Sequence, residues 1–402
     1  MRNRSLLLTL ALAAPLLVAA APAPALAAEA PAAPRPAVRE APLPNPLPAP
    51  VEVVDNGPSA NRIDLAFAGD GYTQAELPKY QQAVNDQWAA MTALEPYKSY
   101  ANFFNVWRVD LVSPESGITG DPTRNVVKQT PLNMHFFCHG VDRLLCADDA
   151  RSQALAKQVP NADVIFAIAN SSTYGGAGGP VITVAGGNPL ASQVTPHEAA
   201  HTLAQIGDEY GGFGAASDVS EPSEPNLSTL TADQMAQRKA KWWRWLGETA
   251  PDGSKIGIYP GGNYFDSGYY RPSEDSNMRT LGKPFNQPAV EALIKSFYKF
   301  VKPIDSQSAP NGAHLDRTAT VSISTPKLVG TDFQIYWGVN GQLYNPAYGK
   351  RALNLGTLAG SLPKNQWVSL SVTVRDTTKA VRDEDFRNSS MTRTASWWIK
   401  PN

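Results

Sequence analysis

HEAAHTLAQIGDEY, residues 197–210, decides how the rest of this chain is read. Two histidines four residues apart sit on one face of a helix about one turn from each other, so His197 and His201 can both reach one ion. Glu198 projects nearby but off that axis, where it can take a proton from a water held at the ion. The chain has only five histidines in 402 residues, which makes this spacing informative. Thr195 and Pro196 read as the start of the helix, and Ala199, Ala200, Leu203 and Ile206 can bury its back. Zinc is the expected ion, since it takes nitrogen and oxygen donors at about 2.0 to 2.2 Å.

The third donor is less direct. On a continuous helix Asp208 would return to the ligand face, but its Cα would lie about 10 Å along the axis from that of His201. The helix must therefore stop before 208, and Gly207 is placed to end it. Asp208 can then fold back, with Glu209 as the next choice and Asp266, Glu274 and Asp275 as more distant competitors.

Upstream, RIDLAFAG, NVWRVDLVS, ADVIFAIAN and PVITVAGG read as strands, ADVIFAIAN as one buried on both faces. TQAELPKYQQAVNDQWAAM reads as a helix with Thr73 as N-cap and Glu76 completing a capping box. This alternation is that of an α/β unit. Downstream, residues 211–228 and the segment YPGGNYFDSGYYRPSEDSNMRT (259–280) are rich in turn formers. PAVEALIKSFYKFV (288–301) is an amphipathic helix with Pro288 in its first turn. From about residue 312 the period changes to two: TATVSIST, DFQIYWGVN, WVSLSVTVRD and TASWWIK read as short strands of a β-sandwich, for which an immunoglobulin-like arrangement is one expectation.

The N-terminus reads as an export signal: Arg2 and Arg4, the apolar LLLTLALAAPLLVAAA, then Ala25-Leu26-Ala27 as a small-x-small cleavage site. Residues 28–58, mostly Ala and Pro, read as a linker. In an exported chain the two cysteines, Cys138 and Cys146, are expected to form a disulfide rather than a metal cluster with His139. With 43% hydrophobic and 18% charged residues and a net charge of −1, no global field favours nucleic acid or an anionic membrane.

The 197–210 stretch resembles the IgA-specific metalloendopeptidase family, whose motif is HExxH followed by DEY. LAFAGDGYT (65–73), TYGGAGG (173–179), KWWRW (241–245), YPGGNYFDSGYYRP (259–272) and SNMRT (276–280) extend the resemblance, in order, over about residues 60–302. The family is similar to metzincins, which implies Asp208 as third ligand and Met278 as the methionine turn beneath the metal. It also implies an edge strand at TYGGAGG, where Gly175 and Gly176 let an extended substrate approach; a plain turn is the alternative. The chain departs from the usual metzincin spacing, because its Asp lies seven residues past His201. Closeness to the methionine turn makes Tyr270 and Arg279 candidate oxyanion donors.

The expected organisation is then a signal peptide (1–27), a linker (28–58), an α/β metzincin-like zinc-peptidase domain with a mixed sheet and an active-site helix (59–305), and a C-terminal all-β sandwich (312–402). The expected activity is that of a secreted or periplasmic zinc peptidase acting on protein or peptide, with Glu198-assisted attack of zinc-held water. No nucleic acid and no membrane span in the mature form are expected. The alternatives are an exported adhesin with an inert peptidase scaffold and a zinc amidase acting on cell-wall material.

Overall fold

The computed structural model describes residues 39–401 except 218, 359 and 361. The expected signal peptide and the first part of the expected linker lie outside them.

Six strands form the central sheet: β1 (Pro50–Val54), β2 (Ile63–Asp70), β3 (Phe104–Val109), β4 (Ala162–Ala169), β5 (Gly176–Ala177) and β6 (Ile182–Ala185), in the order β1-β3-β2-β4-β6-β5. The inner four run parallel, and both edge strands run antiparallel to their neighbours. The chain reaches these parallel pairings through α1 (Leu77–Ala93) between β2 and β3 and through α2 (Asp149–Ala156) ahead of β4. All eight residues of β2 are buried, as a strand covered on both faces requires. On one face Leu65, Phe67, Phe166 and Ile168 meet α1, the helix α3 (Ala191–Ala204) and a later helix, α5 (Gln287–Phe300). On the other, Ala66, Ala68, Ala167 and Ala169 pack under Leu132, Met134, Phe136 and Leu155.

Two expectations need correction. The expected linker contains β1: the β-branched Val51, Val53 and Val54 among its prolines suit an edge strand, and Val51 pairs with Arg108. The turn-rich segment near 259 is a hairpin, β7 (Tyr259–Gly262) with β8 (Phe265–Arg271), in which Gly261 and Gly262 hold positive φ. Between α3 and this hairpin, the short α4 (Ala232–Arg238) and the KWWRW segment bury Met235, Trp242 and Trp245 in a cluster of their own.

The C-terminal residues form a β-rich region, as their alternation predicted. β9 (Thr320–Ser324) lies in a three-stranded sheet, and β10 (Gln334–Val339), β11 (Val368–Arg375) and β12 (Thr392–Ile399) form the centre of a five-stranded one. Val368, Leu370, Val372 and Val374 alternate inward along β11 and meet Trp337 and Trp397. This core is continuous with that of α5. The joint is partly polar: Asp376 is buried and accepts from the hydroxyls of Tyr100, at 2.5 Å, and Tyr298, at 2.7 Å. Lys295 on α5 pairs with Asp383 at 2.7 Å, and buried Arg62 pairs with Asp305 at 2.6 Å. Replacing Asp376 with Ala leaves two buried phenols unpaired and is expected to cost about 2–4 kcal/mol. Urea denaturation checks this; an unchanged midpoint would show that the joint does not depend on this carboxylate.

Candidate metal centre

Helix α3 lies against the sheet with α1 and α5 on its flanks, and its buried Ala199, Ala200 and Leu203 face the core as their spacing predicted. Its ends differ from expectation. The helix starts at Ala191 rather than at Thr195, and Pro196 sits inside it. The Thr195 hydroxyl meets the Ala191 carbonyl and the buried Gln87 side chain. The helix ends at Gln205, not at Gly207: Gln205 is left-handed (φ 52°) and its N–H reaches back to the His201 carbonyl. Gly207 has another task. A Cβ there would stand 2.5 Å from Leu227, and its N–H and carbonyl are both held by Asn226, at 2.7 and 2.8 Å. Asn226 thereby clamps the chain where it folds back.

That reversal brings Asp208 to the histidines. Its Oδ1 lies 3.0 Å from His197 Nε2 and 3.3 Å from His201 Nε2, and the two Nε2 atoms are 3.2 Å apart. A tetrahedral ion with bonds of about 2.05 Å sets its donors about 3.3 Å apart, so this triangle has the size of one face of a zinc shell, with the fourth position left over. The far ring atoms are also committed. His197 Nδ1 faces the Asn277 carbonyl at 3.0 Å, and His201 Nδ1 faces the Ile206 carbonyl. An N–H at each Nδ1 suits these carbonyls, so a metal that displaces the proton from each Nε2 meets two nitrogen lone pairs. Donor chemistry, spacing and tautomers all suit zinc.

Glu209 points the other way. Fully buried, it accepts from Asn226 (2.9 Å), Ser276 (2.6 Å) and Asn286 (3.0 Å). It is a structural node. Asp266 receives the Gly214 N–H at 3.0 Å, and Asp275 caps its own turn and lies 3.9 Å from Lys283; neither they nor Glu274 join the triangle. Met278 is buried in the core that holds α3, and its turn contributes the Asn277 carbonyl to His197. Cys138 and Cys146 are bonded to each other, so the nearby His135 lacks thiolate partners for a second metal cluster.

Glu198, His197, His201 and Asp208 line a cleft of about 900 Å³ with Gly176–Gly179, Arg143, Tyr210 and Tyr264. Gly175 and Gly176 are both tightly packed: Cβ atoms there would meet Phe136 and the Arg143 carbonyl, or the Thr183 carbonyl, at under 3 Å, and Gly176 also lines the cleft. Gly178 is the glycine of that run against Glu198, since its Cβ would stand 2.6 Å from Glu198 Oε2. Tyr270 and Arg279 do not line the cleft. Tyr270 is held in β8 by its backbone exchange with Ser228. The phenols present instead are Tyr210 and Tyr264, with ring centroids 5.2 Å apart. Burial and the Asp208 charge hold the Tyr264 phenol well above its ordinary value, and its hydroxyl interacts with Asp208 and Tyr210. Only the DEY tyrosine and the NYF of the hairpin signalled them in the sequence, and the hairpin itself read as irregular.

The electrostatics follow from burial and pairing. Burial raises Glu198, opposed by the nearby His197 and His201. Burial also works against the Asp208 charge, but hydrogen bonds from both histidines hold this carboxyl far below its usual range. In His201, burial is outweighed by Asp208 and Glu198, which push it up to about 9.

Residues 51–254 match the family model described as IgA Peptidase M64. That segment, about half the chain, contains the three donors and Glu198 and ends before β7. No curated protein matches the chain.

Two outcomes follow. The raised His201 contributes stability fully present below its unfolded value of 6.5 and lost as pH rises through about 9; the lowered Asp208 contributes above 3.8 and loses it as pH falls further. The metal-stripped protein should therefore lose melting temperature between pH 6.5 and 9, and Asp208→Asn should flatten that slope; an equal slope in the variant would refute the pairing. Gly178→Ala should keep metal stoichiometry while lowering peptide turnover at least tenfold, because the added methyl displaces the Glu198 carboxyl.

Proposed function

The chain belongs to the IgA peptidase M64 family, and from that premise we propose that it is a secreted zinc peptidase whose metal is held by His197, His201 and Asp208. The observation that carries the reading is the donor triangle with sides of 3.0 to 3.3 Å opening on the cleft that also holds Glu198. Bound there, zinc supplies a Lewis acid that polarises a carbonyl and acidifies water.

The chain's own groups do the rest. Glu198 takes a proton from the attacking water and returns it to the leaving amine. The burial that raises it suits a group that must both accept and give a proton near neutral pH. The Tyr264 hydroxyl, kept protonated by its surroundings, lines the same cleft beside Asp208 and is a donor for the negative charge that grows there. The exposed side of β5 offers main-chain groups to an extended substrate, with Gly178 leaving room beside Glu198. The Asn277 and Ile206 carbonyls keep the two imidazoles in one tautomer and orientation.

The expected export rests on the N-terminal signal pattern; no helix among the described residues is long and apolar enough to cross a membrane. The family description does not itself make immunoglobulin A the substrate of this chain. The deciding measurement is metal content per chain with Asp208→Ala and Glu198→Gln alongside. One zinc in the wild type, lost or much weakened in Asp208→Ala, supports the ligand set. Glu198→Gln should keep zinc and lose hydrolysis of a protein substrate by about 10² to 10⁴-fold. A wild type that takes up no zinc overturns the reading, and cleavage confined to cell-wall material in a mixed substrate panel would turn it into an amidase.

A further inference from the structure

One wall of the cleft is a short covalent ring. Cys138 and Cys146 close it by a disulfide with their Cα atoms 5.8 Å apart. Backbone bonds stiffen it: the Cys138 N–H reaches the Leu144 carbonyl, the Leu144 N–H the Val141 carbonyl, and Cys146 exchanges two bonds with His135. The ring is also seated on the sheet edge. The Thr183 hydroxyl donates to the Leu145 carbonyl, and the Arg143 carbonyl packs so closely on Gly175 that a Cβ there would stand 2.7 Å from it. The backbone of Arg143 is thus held at the rim, beside the edge strand β5.

Its side chain is not. Arg143 is exposed, lines the cleft, and has no hydrogen-bond or ion-pair partner among the described residues. Its charge nonetheless reaches Glu198 and Tyr210. Apart from histidines it is the one cationic side chain on this wall among the described residues. The acidic lining residues are Glu198, Asp208 and, farther round, Glu224. Two of these are committed to the centre, which leaves the guanidinium free to pair with an acidic group of a chain bound in the cleft. A guanidinium offers a planar fork of donors that fits a carboxylate through two parallel hydrogen bonds.

We infer that Arg143 is a specificity-determining residue that reads a carboxylate of the substrate close to the bond that is cut. The inference rests on the peptidase reading above and adds a substrate class to it. The carboxylate has two sources: an Asp or Glu side chain within a few residues of the cut, or the free C-terminus of the substrate. The first makes the protein an endopeptidase with acidic preference, and the second an enzyme that trims chain ends.

The test is digestion of a peptide library by the zinc-loaded full chain, read by mass spectrometry, once with free and once with amidated C-termini. The expected result is enrichment of Asp and Glu beside the cut in both libraries, or of cuts near the end in the free library alone. Arg143→Ala should lower that enrichment at least fivefold, and Arg143→Glu should move it toward Lys and Arg. Both substitutions are on the surface, and unchanged zinc content and melting temperature would show that the fold is kept. Wild-type cleavage with no carboxylate preference, or a preference that survives in Arg143→Ala, overturns the inference while leaving the peptidase reading intact. A library left uncut by the zinc-loaded wild type sinks the peptidase reading and this one with it.

Discussion

Three side chains converge on the buried carboxylate of Glu209, and most of the site hangs from that point. Asn226 comes from the loop that clamps Gly207, Ser276 from the turn before Met278, and Asn286 from the N-cap of α5. A carboxylate with no access to water is costly, and burial indeed raises Glu209, with these hydrogen bonds and the Arg271 charge acting against it. The arrangement persists because the donors are complete. Glu209 also gives its N–H to the Met278 carbonyl at 2.8 Å. One residue thus fixes the direction of its neighbour Asp208 and the position of the turn that orients His197.

The part of the site that lies on one helix was legible in the sequence. The 3.6-residue period places His197 and His201 together whatever surrounds them, and the core face of α3 followed from the same period. The strands that build the central sheet were legible too, because burial on both faces leaves uninterrupted apolar runs such as ADVIFAIAN. What failed was set by contacts distant in the chain. The helix stops at Gln205, a residue with no intrinsic preference for a left-handed conformation. The Ile206 carbonyl must turn toward His201 and the Asn226 side chain claims Gly207. No local rule reveals either demand. The hairpin at 259–271 read as irregular because its glycines and Asn263, Tyr264 take positive φ, which erases the alternation expected of strands. Tyr264, which the structure places in the cleft, was not singled out; Tyr270 and Arg279 were chosen for closeness to the methionine turn and do not line it.

The C-terminal β region shows a similar limit. Its alternation identified the strands, yet nothing local told how it meets the rest. In the structure Tyr100, Tyr298 and Asp376 come from three separate segments to form one buried polar contact, and the apolar core runs through the joint without a break. Arg382 stacks on Trp245 at 4.0 Å and gives its backbone N–H to Glu291. This anchors the same tryptophan cluster that covers the flank of α5.

The segment that matches the family, residues 51–254, holds His197, Glu198, His201 and Asp208, together with the Ile206 carbonyl and Asn226, but not the rest of the groups that orient them. The Asn277 carbonyl that fixes His197, the Ser276 and Asn286 side chains that settle Glu209, and the hairpin that carries Tyr264 all come later. What makes the chain recognisable and part of what holds this site in place are therefore different stretches of polypeptide. A fragment ending at residue 254 would keep the three residues of the donor triangle and lose the Asn277 carbonyl, Ser276 and Asn286, so the recognisable half of the sequence does not carry the whole support of its own site.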